Sequence, residues 1–153
     1  PMLMICGMYQ LFGRFFRTLK GEEIVGANIL PIETIAGDER MIGNIVIRSQ
    51  EFGDIVGYEN HSGQTFLDKT VKPLGRVIKG AGNNMTDANE GVRYNNIIAT
   101  YLHGPILPKN PQIADFLIAE ALERRGVSAD SGLEKIDDIL ADKAREIALK
   151  LSR

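Results

Sequence analysis

Apolar residues along this chain come in short blocks separated by glycines and polar residues. Residues 2–5, Met-Leu-Met-Ile, are an unbroken apolar run, which predicts a short strand buried on both faces in a parallel sheet. From Met8 onward, Met8, Leu11, Phe12, Phe15, Phe16 and Leu19 recur at spacings of three and four, predicting a helix that closes at Lys20-Gly21. Strands are predicted at 32–35, 41–48, 55–58 and 74–79, an antiparallel or mixed section. Residues 80–91, GAGNNMTDANEG, have no period and read as a solvated loop. The apolar run 97–102 is a strand bounded by His103-Gly104-Pro105. After the proline-punctuated stretch 105–111, Ile113, Phe116, Leu117, Ala121 and Leu122 line one face of a helix stopped by Gly126. A final helix is predicted at 134–151, with Ile136, Ile139, Leu140, Ile147 and Leu151 apolar. Strand and helix, then a β-rich middle, then strand and two helices, is an α/β order with neither internal repeat nor linker.

Composition narrows the class further. With 153 residues, 44% hydrophobic and 25% charged, the chain has the size and make-up of one domain, 1–153, with a substantial core. A net charge of −2 gives no electrostatic basis for binding nucleic acid or an anionic membrane. No apolar run reaches the length of a membrane span, and one cysteine forms no internal disulfide, so a cytoplasmic protein is expected. The chain opens directly into its first strand with no initiator methionine ahead, so it is expected to start inside a larger domain, as its C-terminal portion.

The chemistry-bearing residues are few. Cys6 stands where the first strand meets the first helix, in ICGMYQLFG. A sharp strand-to-helix turn exposes its side chain, and the helix dipole then favours thiolate. Gly7 permits the turn and offers an N–H to a developing oxyanion. The alternative is a cysteine packed inertly in the core. A nucleophile needs a base, and the chain has two histidines. His103 follows the strand 97–102 and therefore shares the carboxyl edge with Cys6, as either a base or a loop histidine capping a strand end. His61, in YENHSGQT, is assigned to a polar turn, structural or substrate-lining. Asp87, Asn89 and Glu90 carry oxygen donors but miss the spacing of a calcium loop, and no metal is expected.

Five blocks carry a resemblance in the right order: ICGMYQLFG, AGDERMIGN, GYENHSGQTFL, KGAGNN and IATYLHGPILPKNPQIADFL. Together they resemble the cobyric-acid-synthase-like class I glutamine amidotransferases. Within these the match is nearest to the GatD-type branch, the glutaminase subunits of lipid II isoglutaminyl synthases. The resemblance implies a flavodoxin-like, three-layer α/β sandwich around a mixed sheet, here without its N-terminal strands and helices. It gives Cys6 the role of nucleophile, His103 that of catalytic histidine and Arg40 that of substrate-glutamine anchor, and places Gln10 in the glutamine pocket. A guanidinium suits the task, because it grips a carboxylate bidentately and is always charged.

Three departures qualify the resemblance. Met8 stands where the elbow often has a second glycine, either narrowing the approach to sulfur or packing beneath the turn. The segment before the elbow, which normally gives the second oxyanion amide, is absent, so the chain is expected to be a fragment or to pair with another chain. Pro105 occupies the position two beyond the histidine where related enzymes carry a carboxylate, so the third triad member is expected from a ligase partner.

The implied activity is hydrolysis of L-glutamine through a cysteine thioester. Ammonia then passes to a MurT-like ATP-dependent Mur-ligase subunit that amidates the D-glutamate of lipid II, with ATP and Mg held by that partner and no cofactor in this chain. Two alternatives stay open: a glutaminase serving a corrinoid or another carboxylate, and a truncated, inert binding module.

Overall fold

A computed structural model describes residues 1–128 and 136–151. β1 (Met2–Ile5) pairs in parallel with β9 (Ile97–Thr100), and β8 (Val92–Tyr94) pairs antiparallel on the far side of β9. These three strands form the smaller sheet, in the order β1-β9-β8. β1 is thus an edge strand in which only Met4 is fully buried and Met2 is exposed, not the doubly covered strand that its unbroken apolar run predicts.

The larger sheet is built on a long hairpin. β4 (Ile32–Ser49) and β5 (Gly53–Leu67) pair antiparallel except at a bulge between Ala36 and Met41, and are joined by a turn in which the Ser49 hydroxyl accepts the amides of Glu51 and Phe52. β2 (Phe15–Arg17) lies parallel to the start of β4, with β3 (Glu23–Val25) outside it. β6 (Gly75–Lys79) pairs antiparallel with the end of β4, and the short β7 (Asn89–Glu90) pairs outside β6. The expected mixed α/β architecture is present, with its strands divided between two mixed sheets.

The helix predicted from Met8 to Lys20 is not formed. α1 spans only Gly7–Leu11, and Phe15 and Phe16 belong to β2. The cause is Gly13, whose backbone passes so close to Ile32 that an added Cβ would stand 2.8 Å from Ile32 Cγ1 and 2.9 Å from its carbonyl. Arg14 N–H then donates to Ile32 O at 2.8 Å, and the chain leaves the helix to pair as a strand. Leu19, expected on the helix face, is exposed in the turn beyond β2.

Alternation along β1 and β9 feeds two cores. Met4, Ile97 and Ala99 point into a cluster with Tyr9, Leu30, Ile32 and Tyr101. Ile98, backed by Leu3 and Ile5, joins Ile45, Ile47, Ile55, Leu102 and Ile113 in the other. Burying such side chains stabilises the fold by about 1.5–3 kcal/mol each.

α2 (Ile106–Lys109) is a single turn within the proline-punctuated stretch, and α3 (Pro111–Arg124) begins with proline at its first position. The last helix, α4 (Ile139–Lys150), packs beside α2 and β5. Its predicted start at 134–135 lies outside the described residues. Among the described residues no helix is long and apolar enough to cross a membrane.

Candidate active site

The parallel register aligns Ile5 with Thr100, so the chain segments leaving β1 and β9 emerge side by side at one carboxyl edge. Cys6 is the next residue after β1; Tyr101, Leu102 and His103 follow β9. Cys6 has φ 55° and ψ −110°, a sparsely populated conformation that costs a side-chain-bearing residue about 1–3 kcal/mol. Its N–H donates to Thr100 O at 3.0 Å and its carbonyl accepts the Gln10 amide at 3.1 Å, so both neighbouring elements hold the turn. The side chain is half-buried. Cys6 therefore sits on a strained elbow at the rim and is not sealed in the core.

The thiol differs from expectation in one respect. Burial raises its pKa, and the Gly7 amide and the Arg40 guanidinium offset that only in part. A five-residue α1 does not overcome desolvation, so the sulfur rests as thiol. Gly7 opens on free space, where a Cβ would meet nothing within 4 Å. Met8 is exposed and does not pack beneath the turn.

His103 is pinned by backbone pairing to β5: its N–H donates to Tyr58 O at 2.8 Å, and its carbonyl accepts Tyr58 N–H at 3.3 Å. Burial lowers its pKa, favouring neutral imidazole. Its Nε2 is buried and has no hydrogen-bond partner among the described residues. The following Gly104-Pro105 peptide is cis.

Arg40 projects from a wide bulge in β4. Register runs from Ala36 opposite Gly63 to Met41 opposite His61, so Gly37, Asp38, Glu39 and Arg40 stand against Ser62 alone. The bulge re-aims an exposed strand residue toward the elbow. Arg40 Nε donates to Asn60 Oδ1 at 2.7 Å, and the guanidinium lies within electrostatic reach of both Cys6 and His61. It also borders a cleft of about 620 Å³ shared with Met41, Gly80 and Ala81.

Gln10 faces inward from α1. Its Nε2 donates to Tyr101 Oη at 3.1 Å, and that hydroxyl lies 2.6 Å from Thr65 Oγ1, itself 2.8 Å from Thr34 Oγ1. This buried chain fixes the floor of the site. Gly63 makes room for it, since a Cβ there would collide with Gln10 Nε2.

His61 is not in a polar turn. It lies within β5, 3% exposed, with its ring flat on Tyr101 at 3.5 Å between centroids and 2° between planes. Its Nδ1 is 2.8 Å from Gly63 O. Burial pushes its pKa down to about 4, Arg40 and His103 pushing the same way and the backbones of Gly63 and Gly82 opposing. The segment 80–91 is likewise not a solvated loop. Asn83, Asn84 and Glu90 are buried; Glu59 accepts the Ala81 and Gly82 amides, and Glu90 accepts Thr100 Oγ1 and Tyr101 N–H. Asp87 and Asn89 serve internal bonds to Asn84 and Arg76. Among the described residues no three His, Cys, Asp or Glu side chains converge as a metal site.

Tyr101, Thr65, Asn60 and His61 are the site features that hydropathy patterning misses. The available signal was alternation itself: in 57–65 every second residue faces inward, but several of those are polar.

A half-buried thiol on a strained strand-to-helix turn, with a neutral imidazole three residues beyond the end of the neighbouring parallel strand, is the apparatus of cysteine-dependent acyl transfer. Residues 1–111 match the CobB/CobQ-like glutamine amidotransferase domain, and the chain belongs to that family. It is 44% identical over 149 residues to the glutamine-hydrolysing lipid II isoglutaminyl synthase subunit GatD of Staphylococcus aureus, covering 97% of this chain and 60% of that protein. The GatD subunit of Streptococcus pneumoniae is 38% identical over 146 residues, covering 94% and 56%. A probable cobyric acid synthase of Methanothermobacter thermautotrophicus is 30% identical over 152 residues, covering 90% of this chain and 29% of that protein. The chain thus spans less than two thirds of the length of each of these relatives.

Proposed function

We propose that this chain is the glutamine-hydrolysing part of an amidotransferase acting on lipid II, with Cys6 as nucleophile, His103 as proton carrier and Arg40 as anchor for the substrate α-carboxylate. The observation that carries this reading is the strained Cys6 turn, hydrogen-bonded to the strand that leads to His103.

Burial keeps the thiol protonated and the imidazole neutral, so the reaction starts from that pair. Sulfur attacks the carboxamide carbon as its proton passes to His103, and the oxyanion meets the Gly7 N–H. Collapse breaks the C–N bond, His103 returns the proton to the leaving nitrogen, and ammonia departs, leaving a glutamyl thioester. Water attacks the thioester with His103 as base; C–S cleavage restores the thiol and releases glutamate. The balance is glutamine plus water to glutamate plus ammonia.

Both GatD relatives are named as subunits, which supports a partnered protein. The partner is a MurT-like Mur-ligase that holds ATP and Mg, activates the D-glutamate carboxyl of lipid II and receives the ammonia on the cytoplasmic side. The absence, among the described residues, of a carboxylate bonded to His103 supports a third triad member from that partner. Likeness to a cobyric acid synthase favours a corrinoid acid as the second reading of the acceptor.

A glutamine-analogue electrophile such as 6-diazo-5-oxo-norleucine tests the core of the proposal. In the complete, partnered protein it labels Cys6 stoichiometrically and stops ammonia release. Neither labelling nor glutamine-derived ammonia would leave a binding module as the better account. Amidation of lipid II against a corrinoid acid decides the acceptor.

A further inference from the structure

The chain passes between the two sheets at two crossings that lie against each other. One is Gly91, which leads from β7 in the larger sheet to β8 in the smaller. The other is Tyr101-Leu102, which leads from β9 in the smaller sheet to His103, bridged to Tyr58 of the larger. The first crossing admits only glycine: φ is 61°, and a Cβ would stand 2.6 Å from Ala99 O. At the second, Tyr101 and Leu102 are fully buried and lie beyond the last paired residue of β9, so sheet pairing does not serve their amides.

Glu90 serves them instead. It precedes Gly91, is fully buried, and reaches across to the other crossing: Tyr101 N–H donates to its Oε1 at 2.7 Å, and Thr100 Oγ1 lies 2.8 Å from its Oε2. Thr100 Oγ1 also accepts Leu102 N–H at 3.0 Å. One carboxyl thus provides for both amides, directly or through Thr100. The same Thr100 gives its carbonyl to Cys6 N–H, and His103 follows Leu102. The carboxyl therefore holds the short stretch that joins the residue tethering the nucleophile to the residue proposed as base. Simple packing does not call for such a group, since a glutamate is rarely buried whole without bonds to justify it and an apolar side chain would fill the space.

We infer that Glu90 is a positioning residue of the proposed glutaminase: by clasping Thr100 and Tyr101 it fixes the step from β9 to His103, and with it the placement of the imidazole relative to the Cys6 sulfur. It acts through residues 100–102 and takes no part in the bond changes. This rests on the glutaminase reading and adds to it the group that sets the nucleophile–base geometry.

The clasp can be broken in two ways in the complete, partnered protein. Glu90→Ala removes it. Thr100→Val keeps the shape but deletes the hydroxyl that Glu90 and Leu102 share, and covers the case in which the alanine variant fails to fold. Misplacing a reacting group by about 1 Å costs roughly 100-fold, so kcat at neutral pH should fall about 100-fold in Glu90→Ala and about tenfold in Thr100→Val, with KM for glutamine changed less than about threefold. Alkylation of Cys6 by iodoacetamide at the same pH should change less than about twofold, because β1–β9 pairing holds the elbow without the clasp. Burial pushes the Glu90 carboxyl up to about 8, so at neutral pH it is uncharged and Glu90→Gln can copy it. The amide oxygen takes Tyr101 N–H, the amide N–H meets Thr100 Oγ1, and kcat should return to within about threefold of wild type. A kcat within about twofold of wild type in whichever broken-clasp variant folds, or one in Glu90→Gln as low as in those variants, overturns the assignment and leaves the glutaminase reading intact. A fall in Cys6 alkylation equal to the fall in kcat also overturns it, since the elbow itself would then have collapsed. A wild-type protein that neither releases ammonia from glutamine nor reacts with the diazo analogue overturns both.

Discussion

The backbone N–H of Cys6 donates to the carbonyl of Thr100 at 3.0 Å, tying the proposed nucleophile to the strand that carries the proposed base. Residues 97 positions apart (103 − 6) are thereby set on one rim by ordinary parallel pairing. What sequence analysis reads as thiolate activation by a helix is instead a thiol kept protonated by burial, and this changes what is expected of its reactivity.

Alkylation of Cys6 by iodoacetamide in the substrate-free protein should reflect that state. Burial raises the folded thiol pKa, so the alkylation rate should climb with pH through a midpoint above the ordinary cysteine range of about 8.5. Arg40→Ala removes a cation that lowers the pKa and should move the midpoint further up. A rate already maximal at neutral pH would mean a preformed thiolate and refute the thiol–imidazole starting pair.

The Gly63→Ala variant probes the pocket floor. The new methyl would collide with Gln10 Nε2 and stand 3.3 Å from Tyr101 Oη, so the Gln10 amide, a flexible end, has to give way. The expected outcome is a KM for glutamine several-fold higher, with a thermal midpoint only a few degrees lower, since overpacking costs about 1–3 kcal/mol. An unchanged KM would remove Gln10 from the pocket.

How much of this was legible beforehand divides by residue type. The Cys6 elbow, the His103 strand end and the α3 face were visible because apolar runs and glycine punctuation mark them. The false helix beyond Met8 arose because Phe15 and Phe16 fit a helical period as well as a strand. The contact that forces Gly13 against Ile32 is tertiary and leaves no local trace. His61, Glu59 and Glu90 were misread for the opposite reason: they are buried polar residues held by hydrogen bonds, and hydropathy places such residues outside. The roles of Arg40 and Gln10 came from family resemblance; spacing alone does not reveal a bulge that turns a strand-edge arginine toward a sulfur.

Glu90 predicts an inverted pH dependence of stability. Burial, with Glu59 nearby, pushes its carboxyl up to about 8 against 4.5 in the unfolded chain, although its bonds to Tyr101 and Thr100 pull the other way. Between those values the native state holds a proton that the unfolded state has released. Its contribution to stability is therefore full below pH 4.5 and falls as pH rises to about 8. Glu90→Gln keeps the shape and stays neutral, so denaturant midpoints of the variant should flatten across that window and exceed wild type at its upper end. Parallel wild-type and variant curves would show that Glu90 does not hold its proton.

The unpartnered Nε2 of His103 sets the last expectation. In triads of this kind an acid on the second ring nitrogen fixes the tautomer and stabilises the imidazolium formed during reaction. Here Pro105 occupies one sequence position from which such an acid comes, and no carboxylate meets the ring among the described residues. Without that support the burial-lowered pKa makes His103 a poor proton acceptor. A carboxylate delivered by a docked partner raises the histidine pKa, because it favours the charged ring. Glutaminase kcat in the complete protein should then increase by roughly 100-fold or more on docking, within the range lost when the orienting acid of a triad is neutralised. The acid limb of the pH profile should shift to higher pH at the same time, which a merely stabilising partner would not do. Equal turnover and identical pH limbs with and without the partner would place the third group within this protein after all.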